Sequence, residues 1–113
     1  MAEELNDAQK EGMRIAREYL SKLGWVRAAR QTTERQIIPA WTREEREQAF
    51  REDDQKIEDA EERFGQEVDR YRKEGSQFAK EVLETVYNML KNRRDLGFFG
   101  KRIVARIKDE LQR

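Results

Sequence analysis

Two pairs of glutamates, Glu58 with Glu61 and Glu81 with Glu84, stand three residues apart. On a helix that spacing puts both carboxylates on one face, and hard Mg²⁺ takes oxygen ligands of this kind. A second chemistry lies near the C-terminus. Residues 91–108 carry Lys91, Arg93, Arg94, Lys101, Arg102, Arg106 and Lys108 against Asp95 alone, net +6. Cations at that density can contact phosphate, and Phe98 and Phe99 beside them could stack on bases or dip into lipid. The candidate anion or nucleic-acid contacts are Arg93, Arg94, Lys101, Arg102 and Arg106. A third chemistry belongs to residues 44–70, where twelve acids stand against five bases, net −7. Such a surface can present carboxylates where a basic partner expects phosphates, or simply show a solvated helix face.

The paired glutamates resemble the all-α nucleotide pyrophosphohydrolases of the MazG type. Those enzymes use two Glu-x-x-Glu/Asp pairs on neighbouring helices to hold Mg²⁺ at a triphosphate. The resemblance implies a Mg²⁺-dependent nucleoside triphosphate pyrophosphohydrolase. The second pair ends in Glu84 where that family has Asp. Helical phase also places Glu81 and Glu84 opposite the apolar arc that starts at Phe78, away from an inter-helix cleft.

Other catalytic chemistry has little to work with. Cysteine and histidine are both absent, which removes thiolate and imidazole from zinc, haem, Cys–His and Ser–His chemistry. No glycine-rich phosphate loop or serine nucleophile motif is present. The expectation is a non-enzymatic chain with no cofactor. The opening Met1-Ala2-Glu3-Glu4 lacks the apolar run of a signal peptide, and nothing approaches the ~20 apolar residues of a membrane span. A soluble, cytoplasmic protein with no membrane partner is expected.

The elements that must position these groups are helices. Charged residues make up 42% of the chain and hydrophobic ones 36%, yet acids and bases balance at 24 each and aromatics occur throughout. Folding is therefore favoured over disorder. Glu, Lys, Arg, Gln, Leu and Ala dominate, with Pro39 the only proline. A first helix is expected from about Asn6 to Leu23, closed by Gly24 as a left-handed cap. A shorter one runs from Val26 to about Gln36, ended by the bias of Ile38 before Pro39. Trp25 and Trp41 bracket this segment as partner anchors or as seals on the end of the bundle. The long acidic helix, about 42–74, opens with the capping box Thr42-Arg43-Glu44-Glu45. Phe50, Ile57, Phe64 and Tyr71 recur on it every seven residues, with Asp53 and Glu67 interrupting the pattern. The widest apolar face falls on 77–92, a hydrophobic turn on 96–100, and a last helix on 101–112.

The expected architecture is a single all-α domain over 1–113, a bundle of four to five helices. Its core comes from the first, fourth and last of them. The narrow stripe of the acidic helix resembles a coiled-coil seam, lying on the bundle's edge or against its own copy in a two-fold homodimer. The function expected from this layout is protein–protein interaction: an adaptor, inhibitor or assembly factor. Its partner is another protein or a second copy. The candidate interface is Phe50, Ile57, Phe64, Tyr71, Trp25 and Trp41. Nucleic-acid binding through 91–108 is the alternative.

Overall fold

A computed structural model describes residues 4–35 and 42–113, with side chains from 4–28 and 42–113. Four helices are described: α1 (Asp7–Arg35), α2 (Arg43–Glu74), α3 (Gln77–Leu90) and α4 (Phe98–Leu111). They form an all-α bundle, and no strand occurs among the described residues. No helix of the described residues is long and apolar enough to cross a membrane.

The first departure from expectation is at Gly24. The helix does not stop there: α1 continues through Gly24 and Trp25 to Arg35. Only Gly75 has a positive φ among the described residues, so Gly24 keeps helical geometry. One interior glycine costs about 1 kcal/mol relative to alanine, and burial of Leu23 and Val26 on either side offsets it. The stop that does form is Gly75, with φ 63° and its N–H bonded to the Tyr71 carbonyl. Ser76 then restarts the chain, its hydroxyl accepting from the Ala79 N–H at 3.1 Å. Thr42 caps α2 in the same way, accepting from the Glu45 N–H at 3.2 Å.

α1 and α2 lie antiparallel. Arg14 pairs with Glu67 at 3.4 Å and Glu18 with Arg63 at 3.3 Å. Farther along, Lys22 and Val26 lie beside Asp53, Lys56 and Ala60. Rising numbers on one helix thus meet falling numbers on the other. The two short helices cover one end of this hairpin. α1 packs tightly on α3, where a Cβ at Gly12 would come within 2.7 Å of the Val82 carbonyl oxygen. Glycine there lets the backbones approach and lets Ile15, Ala16 and Tyr19 mesh with Val82, Leu83 and Val86, all buried.

The second departure concerns α2, expected on the edge. From Ala60 onward it enters the core, burying Ala60, Phe64, Val68 and Tyr71. The Phe64 ring packs on Tyr19 with centroids 4.4 Å apart. Its first two turns, 42–48, are wholly exposed. One helix therefore changes role along its length. The third departure is at 96–100: only Leu96 and Gly97 precede the helix, and Phe98 is already its first residue.

Candidate functional site

Helix α4 begins awkwardly. Its cap residue is Gly97, which has no side chain to accept a hydrogen bond from the first turn. Free N–H groups at a helix start need acceptors. The acceptor arrives from α2: Glu61 Oε2 takes the Gly100 N–H at 2.9 Å across 39 positions of sequence. Glu61 is only 6% exposed. Burial holds its carboxyl above the usual range and the Glu58 charge adds to this, while the Gly100 and Phe99 amides pull it back. Tyr19 closes the same spot. Its hydroxyl lies where a Cβ at Gly100 would fall and makes no full hydrogen bond among the described residues. Burial pushes the Tyr19 phenol up, and the Glu61 carboxylate pushes it further.

This junction fixes α4 against the acidic face of α2 and opens a groove of about 620 Å³. Gly65 and Ile103 form its floor, and a Cβ at Gly65 would touch Ile103 Cδ1 at 3.3 Å. The α2 wall carries Glu58, Glu62 and Asp69; the α4 wall carries Arg102 and Arg106, with Phe99 at the lip. The two walls have opposite charge. Among the described residues no ion pair joins an α2 carboxylate to a base of 91–108. Asp69 pairs with Arg72 on its own helix at 3.0 Å, and the Arg102 guanidinium sits 5.8 Å from the Phe98 ring centroid. Phe98 is 71% exposed and Phe99 55%.

No family model, curated protein or solved structure matches this chain. The site therefore stands on its geometry.

The structure divides the residues singled out from the sequence. Phe64 and Tyr71 are buried inside the chain's own core, and Ile57 packs against that core from a half-buried position. Those three help to hold the bundle together; Phe50 is half-buried on the projecting part of α2. Trp25 seals nothing: it is 78% exposed. It lines a second groove of about 500 Å³ with Val26, Lys56 and the buried Asp53. Trp41 lies outside the described residues.

The basic candidates also separate. Arg102 and Arg106, one turn apart, share the α4 wall of the groove. Lys101 is exposed and does not line it. Arg93 is held by Asp95 at 2.6 Å, and Arg27 of α1 also donates to the Asp95 carbonyl. Arg94 is exposed in the connection between α3 and α4.

The glutamate pairs are not brought together as a metal site. Glu58 and Glu61 line the α2/α4 groove, Glu84 is exposed and Glu81 half-buried on α3. Among the described residues no three carboxylates converge as metal ligands would. Glu61 entered the sequence reading only as half of a Glu-x-x-Glu pair; its part in capping α4 was not foreseen. The available signal was Gly97, a cap position without a side chain.

Proposed function

We propose that this chain is a non-enzymatic protein-interaction module, an adaptor, inhibitor or assembly factor in a cytoplasmic setting, whose working surface is the α2/α4 groove. The observation that carries the reading is the groove's make-up: an apolar floor, the exposed Phe99 ring at the lip, and oppositely charged walls that leave each other unpaired. Aromatic anchors and arginine are favoured at protein interfaces, and complementary charge around them sets orientation and partner choice. A carboxylate wall facing the arginines disfavours a phosphate guest. Affinity capture with the full chain tests the reading, comparing wild type with Phe99→Asp and Glu62→Arg. A partner bound by wild type is expected to be lost from both variants while their circular dichroism is unchanged. A partner retained by both would overturn the assignment.

The exposed Phe98 and Phe99 next to Arg102 support a second reading, single-stranded nucleic acid stacked on the rings. A mobility-shift assay at low salt decides it. Binding is expected to weaken in a Lys101→Ala, Arg102→Ala variant, and no shift for wild type removes the reading.

A further inference from the structure

We infer that the guest of the α2/α4 groove is a second copy of this chain, related by a two-fold axis; this rests on the protein-interaction reading above. The argument is charge complementarity. A two-fold contact is isologous, so each surface meets itself with every residue pair made twice. A patch of one sign repels its own copy. This patch carries Glu58 and Glu62 on one wall and Arg102 and Arg106 on the other, 40 or more positions apart in sequence but facing one groove. Turned by half a circle, the acidic wall of each copy meets the basic wall of the other. Among the described residues Glu58 and Arg106 have no hydrogen-bond or ion-pair partner within the chain, so both are free to pair outward. The net charge of zero adds no general repulsion between copies.

Apolar groups point the same way. Phe99 stands at the lip with over half its surface in water, beside a floor where Gly65 presents no side chain. In the two-fold arrangement each Phe99 enters the partner's groove, and the volume of about 620 Å³ is in the range that accommodates such a guest.

Reciprocal charge reversal tests the inference with the full chain. Sedimentation velocity over a concentration series should show a monomer–dimer equilibrium that weakens as salt is raised. Arg106→Glu alone and Glu62→Arg alone each place like charges opposite each other at both halves of the contact. Each should therefore weaken self-association by about tenfold or more. Mixed one to one, the two variants restore one native and one inverted pairing, and a heterodimer should form with affinity near wild type. Both positions are exposed, and circular dichroism confirms that each variant is folded. A strict monomer at all concentrations, a dimer indifferent to both reversals, or a mixture that fails to recover overturns the inference. If the chain is monomeric while Phe99→Asp still loses a captured partner, the interaction module stands and the second copy falls.

Discussion

At the residue scale the α4 start concentrates the unusual chemistry. Glu61→Ala removes the acceptor of the Gly100 N–H and should destabilise by about 1 kcal/mol, the ordinary loss for a helix cap. Glu61→Gln keeps an acceptor and should lose less. Their pH dependence separates charge from hydrogen bonding. Because burial holds the Glu61 carboxyl above its usual range, the folded chain binds that proton more readily than the unfolded chain. Its stabilising contribution is complete below the unfolded value and fades as pH rises through the folded one. Chemical denaturation of wild type and Glu61→Gln should therefore show wild type gaining on the variant as pH falls through the window just above the usual carboxylate range. Glu11 and Asp95 are lowered by Arg14 and Arg93 and behave oppositely, but both proteins share them and they cancel in the difference. A gap that stays constant with pH would refute a raised Glu61. Tyr19 supplies a second test nearby. Its unpartnered hydroxyl makes Tyr19→Phe close to neutral, within about 1 kcal/mol. Gly100→Ala drives a methyl into that hydroxyl and should cost about 1–3 kcal/mol. In the Tyr19→Phe background the cost should shrink without vanishing, because ring carbons remain 3.0 and 3.2 Å from the added Cβ. Additive behaviour in that double-mutant cycle would mean the side chains do not meet.

At the element scale the glycines record what could and could not be read in advance. Gly24 and Gly75 look alike as helix stops, each following a run of helix formers. Gly75 stops α2 because Ser76 offers a cap for a new helix and the chain must turn back onto the core. Gly24 does not stop α1, since Val26 still finds burial against α2 and nothing after Trp25 opens a new helix. That tertiary contact is invisible in local sequence. Gly24→Ala adds a methyl into open space in helical geometry and should stabilise by about 0.5–1 kcal/mol. Gly75→Ala must adopt a left-handed conformation and should destabilise by about 1 kcal/mol. Thermal denaturation reads both, and equal signs would contradict the assigned geometry. The same contrast explains the rest of the comparison. The Thr42 and Ser76 caps and the apolar faces of α3 and α4 were legible because each is set within a few residues. The burial of Phe64 and Tyr71 was legible as a stripe but not as a core. Its counterpart, Tyr19 with Val82 and Leu83, lies on other helices. The groove was legible only as charge segregation, because its walls meet through the Glu61–Gly100 bond and no local pattern announces such a contact.

At the scale of the whole molecule the shape follows from where the apolar residues stop. The Cα radius of gyration is 17.2 Å and the longest extent 55 Å, whereas a compact chain of this length would have a radius of about 13 Å. α1 and α2, about 43 and 48 Å long at 1.5 Å per residue, outrun α3 and α4 at about 21 Å. The short helices cover the hairpin only as far as the layer of Leu23, Ala60 and Phe64. Beyond it α2 has Asp53 as its only buried residue, with Ala49, Phe50 and Ile57 half-buried. Its first turns are held by exposed contacts such as Arg43 with Glu47 at 3.2 Å, each worth roughly 0–1 kcal/mol. A continuous helix should then have two stabilities. Native-state hydrogen exchange should give amides of 46–52 opening energies of no more than a few kcal/mol. Amides of 64–71 should approach the global unfolding energy, with the change falling near Ala60. Phe64→Ala should lower the second group by about 3–5 kcal/mol and leave the first almost unchanged, because the projecting turns already open independently of the core. Uniform protection along α2 would mean that the projecting turns open only with the core, and would remove the division of this helix into a buried half and a projecting half.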